Sequence, residues 1–503
     1  MAGETKKFWL VVLLIVFAVG VFYLSTMRPG VSWHSDHVIY LTDAANIVEG
    51  RPYGSGGPRY IARPEISKYL FSGPQAYPPI YPLLVAPVYK IFGAALYPLQ
   101  LETTAFFLLF LATFAALLKD ELSLWPAALA VAIVGFNPYI WSFKEDVQSD
   151  LVFLFFNYLT LILMCRALER RESSFGDKVT RWVIIGALVY VCYGTRTAGM
   201  TLVPAFIAAD VLRHRRPTAL SIVATCVSVI LALAQGALIK SGEGGSAVAI
   251  AGGAYVSAAT AILAGKTVLY HVVHYPDELA RQFFLTSSRA STLIVGIPAF
   301  ILAAVGFVKR VRRGVTPLET FLVVYALLML FFPYYGAPRL LLPIAPLFVF
   351  YLFLGLKDMR LPIKTRVRSP AIMLVGLMLL ALYAKEFAAA DYESTLRGPY
   401  MKEAQELFAF VRGNTAPEDV IVFVKPREMR YFTGRLSSSY HRPKDMEEQR
   451  KYIDGLGVDL IVIDRFHDFN NYYNDYLPGF VAKYGGRATR VFENDEFTAY
   501  RWR

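Results

Sequence analysis

Asp36 stands at the centre of Val31-Ser-Trp-His-Ser-Asp-His-Val-Ile-Tyr40, just beyond the first apolar stretch of the chain. The segment runs on as Leu-Thr-Asp-Ala-Ala-Asn-Ile-Val-Glu-Gly-Arg-Pro-Tyr to Tyr53 and reads as a short amphipathic helix opened by that acid. A carboxylate at the mouth of a membrane bundle points to chemistry at the lipid–water boundary. Aspartate also caps helix N-termini, so Asp36 has a second reading as an N-cap, and both can hold at once. His34 and His37 flank it, and neutral imidazoles are metal ligands. His271 and His274 lie beside Asp277 and Glu278, with positions 271, 274, 278 and 281 on one helical face. An interfacial amphipathic helix is the competing account of that face.

A scaffold must bring such groups to one interface. Of 503 residues, 55% are hydrophobic, and the mean hydropathy is +0.42. Soluble chains of this length are less apolar, so a polytopic helical membrane protein is expected. A bilayer crossing takes ~20 apolar residues. Spans are expected near 8–26, 97–118, 124–142, 150–168, 181–196, 198–213, 218–238, 290–308, 318–333, 339–357 and 370–388, about eleven in all. The first follows Lys6-Lys7, and Thr26-Met-Arg-Pro29 is a poor cleavage site, so an uncleaved span is expected rather than a signal peptide. Cys165, Cys192 and Cys226 all fall in apolar stretches, which indicates neither a disulfide framework nor a thiolate metal site.

The run 181–213 is interrupted at Gly194-Thr-Arg-Thr197, and two spans with Arg196 at the turn are expected there. With that split, four basic loops fall on the side of Lys6-Lys7: Arg170 to Arg181, Arg213 to Arg216, Lys309 to Arg313, and Lys357 to Arg368. This is the positive-inside pattern, so the net charge of +12 is a topology signal and not a nucleic-acid footprint. The other side receives the loops 27–96, 143–149 and 239–289, the turn from Tyr334 to Pro338, and the tail. The expected division is a transmembrane catalytic domain, 1–390, and an extracytoplasmic α/β domain, 391–503. In the tail, Pro399 to Arg412 and Asp445 to Leu456 read as helices. Val420–Val424 and Val458–Ile463 read as buried strands, and 488–493 with 497–502 as a hairpin around Asn494-Asp495.

The charges gather at the outer ends of the spans: Asp36, Asp43, Glu102, Lys144, Glu145, Asp146, Asp150, Arg196 and Arg339. A transporter needs polar groups near the midplane, whereas an enzyme acting on a lipid head group needs them at one interface. The pattern favours the enzyme. A lipid or solute transporter and a non-catalytic membrane scaffold are the alternatives.

Four segments resemble the GT-C superfamily of polyprenyl-phosphate-sugar-dependent glycosyltransferases, nearest to its protein mannosyltransferase and aminoarabinose transferase group. They are Asp36…Tyr40…Ala44-Ala45…Gly50…Tyr53; Tyr77-Pro-Pro-Ile-Tyr-Pro-Leu83; Asn137-Pro138 followed by Ser149-Asp150-Leu-Val-Phe-Leu-Phe-Phe156; and Pro338-Arg-Leu-Leu-Leu-Pro-Ile-Ala-Pro346. Protein mannosyltransferases often carry two adjacent acids in the first loop, whereas Asp36 stands between Ser35 and His37.

The resemblance implies transfer of a sugar from a polyprenyl-phospho-sugar to an acceptor hydroxyl, with inversion. It makes Asp36 the candidate base, since one carboxylate suffices when the leaving group is a phosphate. Asp150 is the second acid, with an N-cap as its other reading. Arg339 is the foremost candidate for the donor phosphate, followed by Arg196, Lys144, Arg59 and Arg63. Tyr40, Tyr77, Tyr81, Asp146, His271 and His274 are candidates to line the acceptor or sugar site; for the tyrosines the favoured reading is interface aromatics, with sugar stacking by one or two of them as the sharper one. No cofactor is expected, and a divalent metal is the less favoured reading. The expected partners are the lipid donor, a glycan, lipid or protein acceptor, and the membrane. A bacterial inner (plasma) membrane of the cell envelope is the expected location, with a cytoplasmic N-terminus; the final residues Tyr500-Arg-Trp-Arg503 hold no endoplasmic-reticulum retrieval signal.

Overall fold

Each apolar stretch read as a span is occupied by helix. The computed structural model describes residues 2–33, 36–54, 77–169, 175–238, 266–332, 338–358, 365–439, 445–465 and 471–503. Among these, six helices are long and apolar enough to cross a membrane: Gly3–Ser25, Leu96–Lys119, Asp150–Glu169, Ala219–Ala237, Arg289–Arg313 and Ile372–Ala389. Ile80–Phe92, Leu124–Gly135, Pro317–Leu330 and Ala345–Lys357 are shorter apolar helices. Length and composition alone thus single out six of the about eleven expected spans among the described residues. The reason is local: several stretches are interrupted near one end. Asn137 caps a separate short helix, Pro138–Ser142. Phe175–Thr195 stops before an extended Arg196, and a 3-10 turn, Thr197–Thr201, precedes the helix Leu202–His214. A second 3-10 turn, Pro338–Leu341, precedes Ala345–Asp358. These interruptions carry Arg196 and Arg339.

The helices pack through small residues. A Cβ added at Gly306 would lie 2.0 Å from the Tyr351 carbonyl oxygen, and one at Gly355 would lie 1.9 Å from that of Leu302. The helices Arg289–Arg313 and Ala345–Asp358 thus cross backbone to backbone, as small residues allow in a membrane. Thr316 and Glu319 form a capping box before Pro317–Leu330, and the Tyr351 hydroxyl donates to Glu319 at 2.8 Å.

The tail folds into a small sheet domain. Its strands are β1 (Val420–Val422), β2 (Leu436–Ser438), β3 (Val458–Asp464), β4 (Ala488–Glu493) and β5 (Phe497–Trp502), in the order β2-β1-β3-β5-β4. β1 is parallel to β2 and β3, while β5 is antiparallel to β3 and β4. Alternate residues feed two cores. Ile421, Leu460, Val462 and Ala499 face one, with Leu407 and Phe408 of the helix Lys402–Asn414. Val420, Val422, Ile461 and Ile463 face the other, with Ile453 and Phe480. Near-continuous apolar strands buried on both faces are what a parallel segment requires. The helices and strands expected in the tail are present; β2 and the helices Pro426–Thr433 and Asn471–Lys483 are additional.

Candidate active site

The first loop is held against the loop 143–149 by a buried polar lattice. Arg28 donates to Glu145 at 2.8 and 2.6 Å, and Lys144 donates to the same carboxylate at 2.6 Å while lying 3.7 Å over the Trp141 ring. Gln100 donates to the carbonyls of Gly30 and Glu145. Asp146 accepts from the Ser32 backbone N–H at 3.2 Å and from its hydroxyl at 3.1 Å. Burial lowers the Lys144 pKa to about 8 against the pull of Glu145, and burial raises that of Asp146 to about 7. Both side chains are thus engaged in joining two loops.

Asp36 occupies the N-cap position of the helix His37–Val48, yet its side chain makes no capping hydrogen bond. Its Oδ2 instead accepts from Arg339 Nη1 at 2.8 Å, and the Tyr77 hydroxyl donates to the same carboxylate. Arg339 comes from the 3-10 turn Pro338–Leu341 and also reaches Gln148 Oε1 at 3.5 Å. Burial raises the Asp36 pKa, but the charge and hydrogen bond of Arg339, the charge of Arg427 and the Tyr77 hydroxyl together outweigh it. The carboxyl is therefore held below its usual range and is ionised at neutral pH. Beside it, Asp150, the first residue of the helix Asp150–Glu169, is ion-paired with Arg196 from the break after Thr195. Two carboxylates and two guanidiniums thus converge from four distant parts of the chain.

Tyrosines wall this group. Tyr40 stacks on Tyr77 with centroids 5.0 Å apart and meets Tyr81 edge-on at 4.7 Å. The Tyr40 hydroxyl is 2.9 Å from Ser149 Oγ, and Tyr81 is fully buried with its hydroxyl 3.4 Å from Thr103 Oγ1. Burial raises the pKa of Tyr77 to about 12, so it stays a donor. Asp43, one turn beyond Tyr40, is fully buried beside Tyr53, whose hydroxyl donates to the Tyr77 carbonyl at 2.6 Å; burial raises the Asp43 pKa to about 8.

His271 and His274 sit on the helix Lys266–Phe284, which packs against the turn carrying Arg339. Its buried seam runs through His271, Tyr275, Leu279 and Phe283, so of the face expected at 271, 274, 278 and 281 only His271 is fully buried. His271 Nδ1 is 3.0 Å from the Leu330 carbonyl oxygen, and its ring stacks on Tyr275. His274 stacks on Tyr270 and lines a largely apolar groove of about 730 Å3 between this helix and Arg289–Arg313, with Asp277, Arg281, Arg289 and Phe300. Arg59, Arg63 and His34 lie outside the described residues. Among the described residues, no three His, Cys, Asp or Glu side chains come together as metal ligands.

Gln148, Ser149 and Asp43 were not singled out as site residues, although Gln148 and Ser149 directly precede Asp150. Lys425 and Arg427, whose charges act on Asp36, carry no local signal in a polar tail segment.

By sequence the chain matches no family model and no curated protein. By structure it is similar to the Archaeoglobus fulgidus oligosaccharyltransferase tethered with an acceptor peptide, at 13% identity and TM-score 0.64, over 99% of this chain and 74% of that one. It is also similar to AglB of the same organism in complex with an inhibitory peptide and a dolichol-phosphate (13% identity, TM-score 0.58, 93% and 71% covered). A third similar structure is ArnT from Cupriavidus metallidurans in the apo state, at 10% identity and TM-score 0.55, over 99% and 98%. At such identity the likeness is one of fold, and the fold is the GT-C membrane fold read from the sequence, here with a small C-terminal sheet domain.

Proposed function

We propose that the protein is a membrane glycosyltransferase that moves a sugar from a polyprenyl-phosphate carrier to an acceptor hydroxyl on the extracytoplasmic side, with inversion. The observation that carries this reading is the environment of Asp36: an N-cap residue whose carboxylate turns from its helix to Arg339, beside the Asp150–Arg196 pair. The acceptor oxygen forms its bond to the anomeric carbon as the bond to the phosphate oxygen breaks. The acceptor proton passes to Asp36, and the electron pair leaves with the polyprenyl phosphate. A phosphate leaving group needs no general acid, unlike the paired carboxylates of glycoside hydrolysis. Arg339 holds the phosphate as a bidentate partner, Asp150 keeps Arg196 in place, and Tyr77, half-buried where Tyr40 and Tyr81 are buried behind it, faces the sugar. The groove beside His274 accepts the carrier's isoprenoid chain from the bilayer. The fold is that of chains solved with a dolichol-phosphate and with an acceptor peptide, which supports a lipid carrier and an acceptor as partners.

The test is a transfer assay with purified protein, a panel of radiolabelled polyprenyl-phospho-sugars, and membrane extract as acceptor, with and without chelator. Wild-type transfer reduced about 100-fold or more by Asp36→Asn is the expected result. Equal transfer by both proteins rejects Asp36 as the base, and loss of transfer with chelator rejects the metal-independent form of the mechanism.

A further inference from the structure

The cations around Asp36 do not all come from the helical bundle. The helix Pro426–Thr433 of the sheet domain packs against His37–Val48, and Tyr431 lies against the cluster of Tyr40 and Tyr81. Tyr400, from the segment entering that domain, lies 5.8 Å from the His37 ring and meets Phe432 edge-on at 5.3 Å. Lys425 is the N-cap of this helix and Pro426 fixes its first turn, so Lys425 and Arg427 are set at one end of it. Both are half-buried. Lys425 interacts with Glu428, Asp36, Arg427 and Arg339, and Arg427 with Asp36 and Tyr77. One electrostatic cluster therefore spans the bundle and the sheet domain.

The charge balance of this cluster is informative. Among the described residues of the bundle, Asp36 and Asp150 are offset by Arg339 and Arg196, so these four leave no net charge for an incoming anion. From the sheet domain come two cations, Lys425 and Arg427, and one carboxyl, Glu428, whose pKa is raised by burial against the pull of Lys425. Among the described residues the formal surplus is one positive charge at a half-buried site, where charges are weakly screened. A phosphodiester brings one negative charge.

We propose that Lys425 and Arg427 complete the phosphate site from the sheet domain, holding the polyprenyl phosphate opposite Arg339 so that Asp36 is released to act as a base. This rests on the reading of the site as that of a polyprenyl-phosphate transferase. It makes the sheet domain part of the binding machinery and not only a cover: a domain lifted from the bundle leaves the site short of positive charge.

The experiment uses the full chain in phosphatidylcholine nanodiscs, titrated with undecaprenyl phosphate and, as the uncharged control, undecaprenol. Wild type is expected to prefer the phosphate. Arg427→Gln alone and Lys425→Met with Arg427→Gln are expected to weaken phosphate binding about tenfold or more, to flatten its salt dependence, and to leave undecaprenol binding unchanged, while Arg427→Lys retains most of the preference. Unchanged undecaprenol binding also shows that the variants are folded. If both neutral variants keep the wild-type preference while Arg339→Gln loses it, this inference is overturned and the site reading stands. If wild type itself does not distinguish phosphate from alcohol, the site reading falls and takes the inference with it.

Discussion

Asp36 is ionised but already occupied in the resting protein. Arg339 and Tyr77 hold its carboxylate, which depresses its pKa and makes it a weak base until something competes for Arg339. In the proposed reaction the donor phosphate is such a competitor. Once Arg339 turns to it, burial is the dominant influence left on Asp36, and its proton affinity rises as substrate arrives. The basic form of free Asp36 therefore persists well into acid, and the acid limb of kcat/KM is expected below the usual carboxylate range. Arg339→Gln removes the charge that favours the carboxylate, so the limb should move to higher pH as well as the rate falling. A pH profile with an unmoved limb would assign that limb to another group. Asp36 and Arg339 were each readable as candidates from their motifs, but their pairing was not, since they lie 303 positions apart.

The short helix His37–Val48 is positioned chiefly by what it buries. Asp43 is fully buried on this helix beside Tyr53, Gly54 and Tyr77, and the Tyr53 hydroxyl donates to the Tyr77 carbonyl at 2.6 Å, which fixes Tyr77 next to Asp36. The Asp43 pKa rises from an ordinary 3.8 to about 8, so the folded state binds the proton more tightly than the unfolded chain. Its contribution to stability is complete below about pH 4 and is lost as pH rises toward about 8. Asp43→Asn keeps an acceptor oxygen without the ionisation. It should flatten the decline of thermal stability between those limits, which differential scanning fluorimetry in detergent at stepped pH can measure; an unchanged slope would assign the decline to other groups such as Asp146. At this scale the sequence was legible where the signal is local. The break at Arg196 follows from Gly194-Thr-Arg-Thr197, and the hairpin β4–β5 from Asn494-Asp495, whose Asn494 side chain accepts from the backbone of Glu496 and Phe497. The helix Pro426–Thr433 was not, because its packing is set by distant elements: Met429 enters the sheet-domain core, while Tyr431 lies against the tyrosines of the bundle.

The bundle and the sheet domain are joined by the first loop. Trp33 enters the sheet-domain core edge-on to Phe423 at 6.1 Å and Phe497 at 6.3 Å. Backbone hydrogen bonds run from Leu396 to Pro29 at 2.9 Å and from Trp33 to Arg397 at 3.3 Å, and a Cβ at Gly398 would lie 1.8 Å from the Val31 carbonyl oxygen. The loop that presents Asp36 is therefore also the loop on which the sheet domain rests. Trp33→Ala removes a buried aromatic worth roughly 3–5 kcal/mol. It should loosen the sheet domain from the bundle, which limited proteolysis would register as faster cleavage near residues 390–400, with weaker polyprenyl-phosphate binding alongside. Unaltered proteolysis would show that the domain is anchored elsewhere.

Hydropathy, basic loops and short motifs determined the membrane class, the helix positions, the sheet domain and most of the candidate acids and cations, because each is a property of neighbouring residues. Tertiary structure alone decided which of those groups meet. It set Arg339 on Asp36 and Arg196 on Asp150, gave Lys144 to Glu145 and Asp146 to Ser32, and brought the charges of Lys425 and Arg427 within reach of Asp36. The physical reason is that a charge's partner is fixed by the packing of distant elements, and that packing depends on small residues and apolar seams rather than on the charge itself.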